Sequence, residues 1–539
     1  MLTRTARCRL FVHGLETLLL CGFLAFVGVS HAATINATSC SQAAVQSAID
    51  SAADGDTVVI PAGTCTWTQT VNVGTQTGWN PPVYNTKALT IQGAGMDKTI
   101  IIDNNPVDSN GNGGGMLGIP TKLGGFTRVT GLTLDSSQIP NLDPNVYNRG
   151  MIGIAGFSRT WRVDHVHFIV GSGHGITAGD STYGVIDHNI FDLIGWHFGM
   201  YIYHDYWNGV PNGDGSWADA LYPGSNKAVF VEDNVFIGSP YAAAIDGWSG
   251  GRAVVRYNTL NNAGIGNHGT DSPGRGRSMR SMEIYNNIVT VNSSDGQGQG
   301  SDQLRGGTFI IHDNTLTKNG AGGYTPGAFV ITNYRDFDEF SPWGKCDGTS
   351  PFDLNDNLVY DTGTHTGAGS SSALVSSGKT WITNQWQGYH VHNITKSLSD
   401  LIISNTANTI TTLGLTHHSA VLTWSNGDSF RILRAAVCLD QRGRGKGDLI
   451  SGDAPPWGTG VTPLAWPNQA LEPTYVWNNT LNGSPFRVDS QNPWRMQEGR
   501  DFFNNAMPGY TPYTYPHPLT LAGGGDTNPP STPRNLRIR

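Results

Sequence analysis

The chain has 539 residues, a formal net charge of −8, 14% charged residues and 70 glycines. That length allows two or three domains or one long solenoid. The acidic balance does not suit nucleic acid as a general partner, and so little charge with so much glycine points to many turns and few exposed helices.

The N-terminus reads as a targeting segment. Arg4, Arg7 and Arg9 precede an apolar run over residues 18–29, and Ser30-His31-Ala32 and His31-Ala32-Ala33 are small-residue cleavage sites. A secretory signal peptide is expected over 1–33. No later stretch is long and apolar enough to span a bilayer. The mature protein is expected outside the cell, with the periplasm or the cell surface also open. Cys40, Cys65, Cys346 and Cys438 remain after cleavage. An even number in an exported chain predicts two disulfides. Three pairings are open, and closeness in sequence favours Cys40–Cys65 and Cys346–Cys438. The spacing does not match a zinc site.

Ala44, Val45, Ala48, Ile49 and Ala52 have helical spacing. Strand-like runs follow at 57–60, 89–93 and 99–103. One phrase then recurs: an apolar pair, two polar or aromatic positions, an Asn, a spacer and an apolar residue. It is clearest at Phe230-Val231-Glu232-Asp233-Asn234-Val235-Phe236, Val254-Val255-Arg256-Tyr257-Asn258-Thr259-Leu260, Glu283-Ile284-Tyr285-Asn286-Asn287-Ile288-Val289 and Ile310-Ile311-His312-Asp313-Asn314-Thr315-Leu316. Earlier copies carry Leu132, Val166 and Asn189 in the Asn slot; later ones carry Asn357 and Asn479. The four clear copies are 24, 29 and 27 residues apart, a spacing typical of stacked architectures. Val, Ile, Phe and Tyr suit a pleated surface, and no amphipathic helix lies between copies. If each coil turns at its Asn, the amides stack and bond along the stack. An all-β fold is predicted: a right-handed parallel β-helix solenoid with an N-terminal capping helix.

The helix followed by Gly55-Asp56-Thr57-Val58-Val59-Ile60-Pro61-Ala62-Gly63-Thr64 resembles the cap and first coil of the pectate-lyase-like β-helix superfamily. The resemblance implies a secreted, carbohydrate-active protein, and is weak on activity because that superfamily holds lyases, hydrolases, epimerases and phage adhesins.

Residues 381–433 alternate as an antiparallel β insertion does. The expected organisation is a signal over 1–33, β-helix over 34–380, insertion and basic loop over 381–452, a final coil and C-terminal wrap over 453–521, and a Pro/Gly linker over 522–539. The linker leads into Pro533-Arg534-Asn535-Leu536-Arg537-Ile538, which looks like the first strand of a truncated fibronectin type III domain.

Chemistry is expected in the segments after each Asn phrase, where the next strand begins. The segments 200–205, 243–248, 266–271, 302–306 and 330–335 fall at one phase of successive coils. Coils stack about 4.8 Å apart, which brings Asp246, His268 and Arg305 within roughly 10 Å on one face. The catalytic candidates are His268 as base, Arg275, Arg277 or Arg305 as the cation on a uronate carboxylate, Tyr203 or Tyr334 as acid, and Asp246 with Asp271 as the one carboxylate pair. His204, Trp207, Trp217, Trp248, Arg280, Tyr334 and Arg335 are candidates for substrate binding. His204-Asp205 is a weaker candidate for an oriented base, since strand neighbours point to opposite faces. Each candidate competes with a plain structural role in coil core or turn.

The function expected is a polysaccharide lyase that cleaves a uronate-containing glycan by β-elimination, acting as a monomer on an acidic polysaccharide. A β-helix glycoside hydrolase is the alternative enzyme, although Gly173-His174-Gly175 lacks a neighbouring Asp pair. A non-catalytic glycan-binding or adhesive surface is the third. No motif has calcium-loop spacing, yet a calcium site assembled across coils stays open.

Overall fold

The computed structural model describes residues 32–78, 82–106, 115–139, 150–195, 197–211, 213–267, 278–292, 303–304, 306–319, 330–331, 354–414, 416–417, 420–435, 472–488, 498–499 and 501–521. The signal segment, the linker, Cys346 and Cys438 lie outside them.

Each turn of the chain lays down three strand positions, and each strand pairs in parallel with its counterpart one turn later. Trp161–Val170 spans the first and second positions and His174–Ala178 the third; the next turn supplies Gly184–Asp187, Ile190–Leu193 and Phe198–Tyr203. The result is a right-handed parallel β-helix. Its interior is a set of like-on-like columns. On the first face Val163, Ile186, Val231, Val255, Ile284, Ile311 and Val476 stand in register. On the second, Phe168, Phe191 and Phe236 stack with ring centroids 4.6 and 4.7 Å apart. On the third the column runs Leu117, Ile152, Ile176, Met200, Ile245 and Ile265. Each such side chain contributes about 2 kcal/mol by leaving water.

The Asn phrase marks the corner between the first and second faces. Asn189, Asn234, Asn258, Asn287 and Asn314 each pass a side-chain N–H to the next Asn Oδ1 at 2.8–3.0 Å, ending at Asn479. The residue before each Asn turns left-handed: His188, Asp233, Tyr257, Asn286, Asp313 and Asn478 have φ of 53–56°. Val255 O and Tyr285 O also accept from the Asn287 side-chain amide, so its second proton is satisfied by the neighbouring backbone. The corner therefore repeats because its polar groups are satisfied only in a stack.

The capping helix is Gln42–Ser51, with Ser41 as N-cap and Val45, Ala48 and Ile49 buried on the first coil. The Cys40–Cys65 disulfide is formed, and Trp67 Nε1 donates to Cys40 O at 3.0 Å.

One expected coil is absent. The Asn357 phrase lies in Leu354–Thr364, which pairs antiparallel with Ser429–Ala435. The coil that follows Thr308–His312 is instead Thr474–Trp477. The insertion thus begins by Leu354, not at 381. Its six antiparallel strands close on a separate core that includes Val391, Ile402, Trp424, Phe430 and Ile432. An apolar phrase with one Asn reads alike in both settings; only the stacking partner differs.

Beyond the last coil the chain returns across the outside of the first face. Tyr510 donates to Glu283, Arg256 donates to the carbonyls of Tyr513 and Thr514, Tyr515 stacks on Tyr257 at 3.7 Å, and Arg162 donates to Thr520 O. This strap covers outward-pointing charges that would otherwise face water. Among the described residues no helix is long and apolar enough to cross a membrane.

Candidate functional site

The outer surface of the third face changes character part-way along. Two outward columns start small: Gly118, Gly153 and Thr177 in one, Pro120 and Ala155 in the other. They end in Tyr201 and Asp246, and in Tyr203 and Trp248. The small residues leave a low floor that meets an aromatic and acidic wall. Tyr203 leans back over Gly179, where an added Cβ would come within 2.4 Å of its ring. Tyr201 packs 6.0 Å from Trp248 and 6.2 Å from Tyr203.

The corner after this face carries the titratable groups. Asp180 and Asp205 lie one coil apart: the Asp180 charge reaches Asp205, and the charges of both reach the Tyr203 hydroxyl. Burial pushes the Asp205 carboxyl up to about 6, and Asp180 adds to the rise. Asp180 is also raised by burial, opposed by hydrogen bonds from Tyr84 and the Gly156 N–H. Tyr84 comes from the hairpin of Gly74–Thr77 and Val83–Thr86 and reaches Asp180 from 96 residues away. Its ring meets Phe157, which meets Tyr206, at 5.6 and 6.5 Å. The arrangement offers aromatic faces for apolar ring surfaces, beside two carboxyls that burial raises.

The rise at Asp205 has a checkable consequence. A carboxyl held above its ordinary value of 3.8 disfavours its own ionisation in the fold. The cost is absent below about pH 3, grows as pH rises from there toward 6 and is complete above that. Asp205→Asn should therefore stabilise the protein by about 3 kcal/mol at pH 8 and leave it nearly unchanged at pH 3. Urea midpoints at the two pH values measure this, and equal shifts at both would refute it.

Similar proteins are found by structure alone. No family model and no curated protein matches the chain. Among solved structures it is similar to a family 28 exopolygalacturonase from Yersinia enterocolitica, at 12% identity over 56% of this chain and 68% of that one, TM-score 0.29. An alginate lyase from a Paenibacillus species matches at 16% identity over 54% and 94%, TM-score 0.27. The A-module of a mannuronan C-5 epimerase from Azotobacter vinelandii matches at 17% over 52% and 84%, TM-score 0.25. Likeness this loose assigns no activity, and the residues must carry the argument.

Of the expected site residues, Tyr203, Asp246 and Trp248 share the wall of the third face. Asp246 is only 3% exposed there and accepts the Gly247 N–H at 2.8 Å. His204, Trp207, Trp217 and Arg280 are corrections to the expected substrate contacts: all four are buried. His204 turns inward at the corner and packs 4.7 Å from Trp207. Trp207 lies between Tyr183 and the guanidinium of Arg252. Trp217 donates to Ser278 O, and Arg280 pairs with Glu472 at 2.6 Å. His174 is likewise interior, stacked on Phe198. His268, Asp271, Arg275, Arg277, Arg305, Tyr334 and Arg335 lie outside the described residues. Their nearest described neighbours are informative: Asn267 Nδ2 donates to Gly306 O at 2.7 Å. Gly266 N in turn donates to Ile245 O at 3.0 Å, next to Asp246.

Asp180 and Tyr84 were not anticipated. Asp180 precedes His204 by 24 residues, one coil, so reading the phase of the repeat backward finds it. Nothing in the sequence links Tyr84 to that coil. Among the described residues no three His, Cys, Asp or Glu groups are placed to hold a metal ion. Calcium is a variable in the assay below.

Proposed function

We propose that the third face is the substrate groove of a secreted polysaccharide lyase acting on a uronate-containing glycan. The observation that supports it most is the Asn267–Gly306 bond. His268 and Arg305 are the covalent neighbours of that bonded pair, and Gly266 continues the register beside Asp246. In this reading Arg305, with Arg275 and Arg277, neutralises the uronate carboxylate, so that the C5 proton becomes acidic. His268 removes that proton. The C5–H electron pair forms the C4–C5 double bond, the C4–O bond breaks, and the leaving oxygen takes the Tyr203 hydroxyl proton. Tyr203 suits this role: burial first, then the charges of Asp205 and Asp180, raise its hydroxyl and keep it protonated. Trp248 and Tyr206 provide faces on which sugar rings stack.

The test is the ultraviolet absorbance of unsaturated uronate on pectate, alginate, glucuronan and glycosaminoglycans, with and without calcium. Tyr203→Phe should lower kcat by about 10²–10³-fold on the active substrate. Absence of signal on every substrate would sink the reading.

One observation favours hydrolysis as a second reading. Asp205 keeps its proton to about pH 6 beside Asp180, and two carboxyls of this kind can act as acid and base. New reducing ends without unsaturated product would select it. Binding without turnover would select a glycan-binding surface.

A further inference from the structure

Asp180 sits in a left-handed turn with φ of 59°. A non-glycine residue pays on the order of 1–3 kcal/mol for that conformation and keeps it only where the surroundings impose it. Tyr84 and the Gly156 N–H both hold the carboxylate oxygen Oδ2. One side chain acts on the backbone instead: His204 Nδ1 meets Asp180 O at 2.7 Å. A carbonyl can only accept, so the His204 proton resides on Nδ1.

The ring is built to stay in that state. It is fully buried, edge-on to Tyr183 at 6.3 Å and against Trp207 at 4.7 Å. Burial, helped by the charges of Arg252 and Arg159, drives its basicity down to about 3. It therefore remains a neutral donor at any pH at which the protein would work. The His204 main-chain N–H donates to Ser249 O at 3.1 Å, which ties the backbone that carries the ring to the next turn of the chain.

We infer that His204 is a positioning residue: by donating from Nδ1 to the Asp180 carbonyl, it fixes the turn that holds the Asp180 carboxyl against Tyr84 and within electrostatic reach of Asp205 and Tyr203. The functional meaning of this role rests on the glycan-cleaving reading; the geometry does not. Buried histidines more often fill space. Here the ring holds one strained carbonyl at the edge of the groove, and filling the same space with Phe would not replace it.

The groups that face Asp205 are Asp180, Tyr203 and Ser249, and those that face His204 are Arg159, Arg252 and Asp180. The experiment follows the Asp205 carboxyl by carbon NMR from pH 3 to 8 in full-length protein, assigned with Asp205→Asn. His204→Phe should lower the Asp205 midpoint by about one pH unit, and Asp180→Asn should do the same. His204→Asn, which keeps a donor near the Nδ1 position, should leave it in place. An unchanged midpoint in His204→Phe, or a fall in His204→Asn equal to that in His204→Phe, overturns the inference. Nitrogen NMR of the unaltered ring needs no variant that folds: the Nδ1–H tautomer without titration from pH 4 to 8 is expected. An Nε2–H tautomer, or a midpoint between 5 and 8, overturns it. If a substrate is cleaved, His204→Phe should shift the acid limb of the pH profile and His204→Asn should not. The NMR results stand whether or not any glycan is cleaved, so a silent cleavage assay counts against the proposed function alone.

Discussion

Asn287→Ala is expected to destabilise the protein by about 4 kcal/mol, far more than its size suggests. Asn287 Nδ2 donates to Asn314 Oδ1, Val255 O and Tyr285 O at 2.9–3.1 Å, and its Oδ1 accepts from the main chain and side chain of Asn258 at 3.0 Å. All of these groups are buried. Alanine removes the bonds and also leaves the Asn258 main-chain N–H without an acceptor in a dry corner, while Asn258 Nδ2 keeps only Val231 O and Arg256 O. An orphaned buried polar group costs more than a hydrogen bond contributes. Asn287→Asp should be no better at neutral pH, because it sets a carboxylate against Asn314 Oδ1. Asn319→Ala is the control: its amide bonds Asn292 at 2.7 Å on the exposed surface, and its loss should cost no more than about 0.5 kcal/mol. Urea midpoints compare the three. Equal losses at 287 and 319 would refute the account of the corner.

Arg256→Met is expected to cost about 3–5 kcal/mol and to release the C-terminal strap. The Arg256 guanidinium spends its N–H groups on Glu232, the Tyr285 hydroxyl and the carbonyls of Tyr513 and Thr514, at 2.6–2.9 Å. Removing it strands Glu232, whose carboxyl burial already pushes up. The double change Arg256→Met with Glu232→Met should recover much of the loss, because it removes both buried charges at once. Arg256→Lys should behave like the Met variant, since an ammonium cannot reach four acceptors in one plane. Thermal unfolding measures the stability, and protease sensitivity over residues 504–521 reports the strap. A variant that loses stability but keeps the strap protected would separate the two effects and refute their coupling.

How much of this is legible from residues alone follows from what repeats. The corner Asn recurs because a stack satisfies it, so Asn234, Asn258, Asn287 and Asn314 mark coils directly. The cap helix and the Cys40–Cys65 disulfide are local and were readable for that reason. The Asn357 phrase was misleading because an isolated copy carries no sign of its stacking partner. His204 and Trp207 look like groove residues because they follow a strand of known phase. The chain turns inward immediately after Tyr203, and strand alternation says nothing past a corner. Arg162 and Arg256 occupy outward slots that normally face water. Their burial depends on a tail more than 250 residues away, and the Tyr510, Tyr513 and Tyr515 run was its one visible sign. Tyr84 and Asp180 meet through a hairpin laid across coils, which no period encodes.

The bond between Asn314 and Asn479 joins positions 165 residues apart. During synthesis the growing wall must therefore wait, its newest edge unpaired, while the whole inserted module emerges and closes on its own core. Only then can the last coil dock and the tail reach back over coils made earlier. Late mutations in the tail thus act as faults in assembly order: they leave the outward groups of the first face uncovered after the coils have closed, and should show as aggregation during expression before any loss of thermal stability is seen in the molecules that do close.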